Sequence, residues 1–241
     1  RGTDQADFFT AGMTTQGGKT AISPDTLFRA YSMTKHVTGI AAMLLIEDGK
    51  MKLDQNIADF LPEFANPRVA YDPAKSLQSR PSKAPITVRT LLTHTAGLGY
   101  SITSKGAMLK AYLALGLTPA LGGRQPLPGT QGMPPTAPSL KEFSERLATV
   151  PLAFDPGVRW SYSCSLDLMG RVIEVVSGMD FEAFLQARLF KPLGMTSSFF
   201  QVPDSEKYRM TDNFLGTPGG TILADTADNS IYYDKPAFAF G

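Results

Sequence analysis

The chain has little of the chemistry on which many enzyme classes depend. It contains one cysteine, Cys164, so no intrachain disulfide can form, and that thiol is expected as a small buried hydrophobe. Two histidines, His36 and His94, are too few for most zinc-hydrolase sites, and no H-x-x-x-H spacing joins them. No phosphate-binding loop, dinucleotide fingerprint or G-x-S-x-G elbow is present, so neither a metal nor a cofactor is expected and an α/β-hydrolase is unsupported. Charge of either sign is scarce at 19% of residues and nearly cancels to +1, without a basic cluster, which gives nucleic acid no electrostatic footing. The longest apolar run, residues 39–46, is far short of the roughly twenty residues a membrane-spanning helix needs.

What is present begins with Ser32-Met33-Thr34-Lys35, at the head of an amphipathic stretch that runs to Gly49. Val37, Ile40, Ala41, Leu44 and Leu45 recur at helical spacing and predict a buried helix face, with Gly49 just past the end as the left-handed terminator. Residues three apart share a helix face, so Ser32 and Lys35 would lie about 5–6 Å apart at Cβ. A serine hydroxyl needs an adjacent base before it attacks a carbonyl. An amine serves as that base only when uncharged, which predicts a site withdrawn from bulk water. An S-x-x-K string arises by chance about once in a chain of this composition, so its surroundings decide its meaning.

The rest of the chain reads as mostly helical. Residues 54–64 suggest a short helix, and the Pro-rich, polar stretch 66–85 a loop. Ser139-Leu140-Lys141-Glu142 is a capping box that opens a helix toward Val150. A further helix should follow Tyr162, with Leu168 or Met169, Val172, Ile173 and Val176 inward and Gly178 beyond its end. Asp180 is expected to cap another, with Phe181, Phe184, Leu185 and Leu189 on its apolar face. Strands are expected only at 7–12, near Thr20 and at 198–202. His94 reads as a bonded structural histidine at a helix end rather than a base.

Four ordered blocks carry a resemblance. Phe28-Arg29-Ala30-Tyr31-Ser32-Met33-Thr34-Lys35 is similar to the nucleophile segment of the serine β-lactamase and penicillin-binding-protein superfamily. Ile86-Thr87-Val88-Arg89-Thr90-Leu91-Leu92-Thr93-His94-Thr95-Ala96-Gly97-Leu98, then Asp155-Pro156-Gly157-Val158-Arg159-Trp160-Ser161-Tyr162-Ser163, then Phe190-Lys191-Pro192-Leu193-Gly194-Met195 resemble further blocks of that superfamily in order. The resemblance implies an α/β (α+β) fold of the β-lactamase/transpeptidase type, a central antiparallel sheet flanked by helices plus a helical subdomain. It also implies that Tyr162 joins Ser32 and Lys35 as the second titratable group. Where class C β-lactamases carry Tyr-x-Asn, this chain has Tyr162-Ser163-Cys164, which lacks the amide that holds the acylamino arm of the antibiotic. The longer pattern Trp160 to Asp167 is more similar to family VIII carboxylesterases.

The resemblance therefore points to a serine carboxylesterase acting on a small-molecule ester, with Ser32, Lys35 and Tyr162 catalytic and Tyr31, Ser163, Cys164 and Ser165 near substrate. A β-lactamase, D-Ala-D-Ala carboxypeptidase or acyltransferase on the same acyl-enzyme is the nearest alternative. A non-catalytic binding homologue is another, disfavoured by intact Ser32, Lys35 and Tyr162. Residues 117–138, long and rich in Pro and Gly, are expected to form a lid carrying Leu121, Leu127 and Met133 as substrate contacts, or else a mobile surface excursion. By family analogy, 1–45 and 191–241 belong to the sheet-containing part and 46–190 to a mainly helical part of one incomplete catalytic unit. A later region or second chain is expected to supply most of the sheet, the third motif and an oxyanion donor worth on the order of 2.7–4 kcal/mol. Oligomeric state is left open, and a cytoplasmic, bacterial-type enzyme is the favoured location.

Overall fold

A computed structural model describes residues 7–118, 132, 134 and 136–234, which fall into two compact units. The larger contains the described residues of 30–120 and 132–200; the smaller contains those of 1–29 and 201–237.

The larger unit is organised around helix α5, Ser165–Ser177, which packs against α1 (Thr34–Glu47), α2 (Val88–Leu92), α4 (Leu140–Ala148) and α6 (Phe181–Leu185). Such a central position requires an apolar surface on more than one side, and Leu166, Leu168, Met169, Val172 and Ile173 are all buried. Gly170 permits the closest approach, since a Cβ there would sit 3.1 Å from Leu140 Cδ1. The helix stops at Gly178, whose φ of +70° suits a residue without a Cβ.

A 3-10 turn, Tyr31–Met33, leads into α1, and Gly49 follows it at φ +71°. The buried face of α1 differs from the expected one: Thr38, Ala41, Ala42 and Leu45 are buried, whereas Ile40 is 48% exposed. Residues 39–46 are apolar at almost every position, so their periodicity cannot fix a face. Ala41 and Leu45 are buried as expected, and Thr38 and Ala42 complete the packed side in place of Val37, Ile40 and Leu44. Between α2 and α4 lies α3, Gly106–Ala114, whose first amides donate to the carbonyls of Pro73 and Ala74.

The capping expectations divide. Ser139 Oγ accepts from the Glu142 amide at 3.1 Å, but the Glu142 carboxylate turns to Arg146 rather than back to the cap. Asp180 makes no side-chain cap; the Glu174 carboxylate accepts the Phe181 amide at 3.4 Å in its place. The helix expected over 54–64 is two 3-10 turns, Ile57–Asp59 and Pro62–Phe64, with proline opening the second. Within the stretch expected as loop, β1 (Arg68–Ala70) and β2 (Ser79–Pro81) pair antiparallel. Three-residue strands are too short to show an alternating pattern in sequence.

In the smaller unit, β3 (Asn213–Thr217) and β4 (Gly220–Asp225) form an antiparallel hairpin that the sequence reading did not anticipate. Residues 7–12 form no strand, and only an isolated bridge joins Met13 to Ala21; 198–202 likewise stays irregular. The unit is pinned by Arg29, whose guanidinium bonds the Asp225 carboxylate and the Thr211 carbonyl. Both charges are nearly solvent-free, with side chains 4% and 2% exposed, and Ser230 Oγ donates to the same carboxylate at 2.6 Å.

Candidate active site

Ser32 lies in the turn that opens α1, and Tyr31 before it has φ +44°. A non-glycine residue seldom adopts that conformation, and where it persists the surrounding structure imposes it. Lys35 sits one turn on, in the first turn of α1. Its Nζ is 3.3 Å from Ser32 Oγ, and Tyr162 Oη approaches the same Oγ at 2.7 Å. A hydroxyl, an amine and a phenol from residues 130 apart in sequence therefore meet at one oxygen.

The Lys35 nitrogen also lies over two aromatic rings, 5.3 Å from the centroid of Tyr162 and 5.7 Å from that of Tyr100. Burial pushes the Tyr100 phenol well above its ordinary range, and the nearby Asp167 carboxylate adds to the shift, so Tyr100 stays protonated. Sequence reasoning missed Tyr100. The only signal was its place two residues past the Gly97-Leu98 end of the second block.

Tyr162 is held by a strand-like exchange between two blocks that look unrelated in sequence. The amides of Ala153, Gly157, Ser161 and Cys164 donate to the carbonyls of Gly97, Thr95, His94 and Gly99. Gly97 allows that approach: its φ is +81°, and a Cβ there would fall 2.1 Å from the Phe154 carbonyl oxygen. Asp155 fixes the near end, accepting from Arg80, Ser82 and the Lys83 amide. The Arg80 guanidinium, and then the Lys83 amide, hold its carboxyl well below the usual carboxylate range.

The other predicted site residues fall in different places. Tyr31 is half-buried beside Ser32. Ser163, Cys164 and Ser165 are 1%, 0% and 0% exposed, and Ser163 Oγ bonds Ser165 Oγ at 2.7 Å, so these side chains have no open surface to offer a ligand. Burial pushes the Cys164 thiol up, which keeps it inert. Leu121, Leu127 and Met133 lie outside the described residues. The expected withdrawal from water is not met among the described residues: Ser32 is exposed, and Lys35 and Tyr162 are half-buried. Among the described residues no cluster of His, Cys, Asp and Glu could hold a metal, and no helix is long and apolar enough to cross a membrane.

Known proteins are similar to this chain over most of its length. Esterase EstB of Burkholderia gladioli is 34% identical over 184 residues, covering 76% of this chain and 41% of the esterase. Lovastatin esterase of Penicillium rubens is 34% identical over 200 residues, covering 81% of this chain and 45% of the relative. Among solved structures, EstCE1, described as a hydrolase with promiscuous acyltransferase activity, superposes with a TM-score of 0.69 at 26% identity over 89% of this chain and 50% of its own. The chain thus spans about half the length of the relatives it matches. Its fold is of the β-lactamase/transpeptidase type, with two small two-stranded sheets among the described residues. Residues 3–237 match the family described as Beta-lactamase, and the chain belongs to that family.

Proposed function

We propose that Ser32, Lys35 and Tyr162 form the catalytic set of a serine hydrolase that cleaves carboxylic esters through a Ser32-bound acyl-enzyme. The observation that carries this reading is the meeting of Lys35 Nζ and Tyr162 Oη on Ser32 Oγ, at 3.3 and 2.7 Å. In the reactive form the lysine and tyrosine hold one transferable proton between them, either as amine with phenol or as ammonium with phenolate. Both forms have the same net charge and both leave a base facing Oγ, so the two residues act as one coupled group.

The steps follow from that geometry. The pair takes the Ser32 proton as Oγ bonds the ester carbonyl carbon, and returns it to the alkoxide as the C–O bond breaks and the alcohol departs. Water then repeats the sequence, losing a proton to the same pair, and the acid leaves with Ser32 restored. Placement at the head of a helix favours the negative charge that develops on the carbonyl oxygen.

Two observations favour esters over β-lactams. Cys164 stands where an asparagine amide would meet the acylamino arm, and it is fully buried. The relatives above include two proteins named as esterases. Acyl transfer is the companion reading, since an alcohol can replace water as acceptor of the acyl group, and EstCE1 is described as a hydrolase with promiscuous acyltransferase activity.

The test is a side-by-side assay of the full-length protein with p-nitrophenyl butyrate and nitrocefin, with Ser32→Ala as control. Ester turnover that vanishes in the control supports the reading. Nitrocefin turnover far above the ester, or ester turnover that survives Ser32→Ala, overturns it.

A further inference from the structure

His94 occupies a backbone position that glycine most often fills. It follows Thr93, the C-terminal cap of α2, and its φ is +54°. That left-handed slot after a helix is where glycine is at ease and a side chain carries strain. Among the described residues only Tyr31 and His94 are non-glycine residues at positive φ, and Tyr31 adjoins the nucleophile.

The side chain and backbone of His94 both reach Tyr162 and its neighbours. The carbonyl of His94 accepts the Ser161 amide at 3.0 Å, and its Nδ1 accepts the Ser163 amide at 3.3 Å. The same nitrogen lies 3.2 Å from Ser163 Oγ. Between those two anchors the imidazole rests against the phenol ring, with centroids 4.9 Å apart and planes tilted by 42°. The residue before Tyr162, the residue after it and its own ring are thus all fixed by one histidine. Among the described residues, Tyr100 and Lys35 meet the Tyr162 ring and Thr103 bonds its carbonyl, whereas His94 reaches the ring and both flanking residues.

We infer that His94 is the positioning residue for the Tyr162 phenol, holding its hydroxyl at Ser32 Oγ through the Nδ1 bond to Ser163 and the ring contact. This rests on the catalytic reading of Ser32, Lys35 and Tyr162 given above. His94 is not itself a base in the reaction, because Nδ1 is committed to Ser163. Burial holds its pKa down to about 4, with the positive charge on Lys35 adding to the effect, so the ring remains neutral and Nδ1 remains an acceptor in neutral solution.

Glycine separates a positioning role from a merely structural one. His94→Gly relieves the backbone strain while removing the ring and its acceptor, so a histidine kept only to end α2 predicts unchanged kinetics in that variant. A positioning role predicts the opposite. Displacements of about 1 Å at a reacting group cost up to about 100-fold, so His94→Gly should lower kcat for p-nitrophenyl butyrate by about 10–100-fold with KM within about twofold. His94→Asn places Oδ1 near the position of Nδ1 and tolerates the left-handed backbone, so it should recover at least about tenfold over glycine.

Both variants are assayed in the full-length protein, with circular dichroism as a check on folding and Ser32→Ala as control. Should His94→Gly be unfolded at the assay temperature, it is compared with wild type at a lower temperature where circular dichroism shows both folded, under the same thresholds. A kcat within about twofold of wild type for the truncated variant, or the same loss in His94→Asn as in the truncation, overturns the inference. If the control abolishes turnover while the truncation leaves it intact, this inference alone fails. If the control keeps turnover, the catalytic reading beneath it fails.

Discussion

Tyr162→Phe removes one oxygen and leaves the rest of the residue in place, which makes it a narrow probe of the site. The ring keeps its contacts with His94 at 4.9 Å, Tyr100 at 5.7 Å and Lys35 at 5.3 Å. The lost bond is the 2.7 Å contact with Ser32 Oγ, made at an exposed serine, and an exposed neutral bond is worth at most about 1 kcal/mol to folding. Stability should therefore move by less than about 0.5–1 kcal/mol in urea unfolding. The effect on rate should be larger. A positioned proton carrier contributes about 10²–10⁴, equivalent to roughly 3–5 kcal/mol of barrier, and after the change Lys35 at 3.3 Å is the titratable group left beside Oγ among the described residues. Stopped-flow release of p-nitrophenol separates the first turnover from later ones, and both acylation and deacylation should slow because both pass a proton through the same pair. A variant that acylates within about tenfold of wild type would refute the relay and leave Lys35 as sole base.

Other outcomes follow from the same structure. Gly97→Ala forces a side chain into positive φ and onto the Phe154 carbonyl, so it should cost at least about 3 kcal/mol in urea unfolding and lower activity with it. Asp225→Asn leaves the Arg29 guanidinium buried without its carboxylate, and a loss of about 3–5 kcal/mol is expected from the same measurement. Stability should also fall as pH drops from 6.5 toward 4, because His94 titrates near 4 when folded and near its ordinary 6.5 when unfolded, so the unfolded chain binds the extra proton in that window. A fully shielded ring would make this worth about 3 kcal/mol; solvent around a half-buried one reduces it to about 1–2 kcal/mol, seen as the difference in pH dependence between wild type and His94→Asn.

The parts of the structure that were legible in sequence are those with a strong local signal. Ser32 and Lys35 share a face because three residues nearly complete a helical turn, and α5 with its Gly178 stop was readable from spacing and a glycine. The nearness of Tyr162 to Ser32 was not readable from spacing, and came only from the family resemblance. The inward face of α1 was half legible because apolar residues fill residues 39–46 almost without a break: Ala41 and Leu45 were readable as buried, whereas Ala42 in place of Ile40 was not. The strands β1 to β4 were lost for another reason. They are short and carry Pro, Arg, Ser or Gly, so tertiary pairing overrides their composition. Glu174 took the cap that Asp180 was expected to make, a bond across seven residues that no local pattern announces. His94 was legible as a bonded histidine at a helix end, but its partner Ser163 was not.

The most direct measurement is covalent. The full-length protein is treated with a fluorophosphonate probe and, separately, with p-nitrophenyl butyrate quenched in acid, then analysed by intact mass and peptide mapping. If Ser32 is the nucleophile, one adduct per chain forms in each case, on Ser32, and none in Ser32→Ala. An unmodified protein, or an adduct on any other residue, would contradict that role.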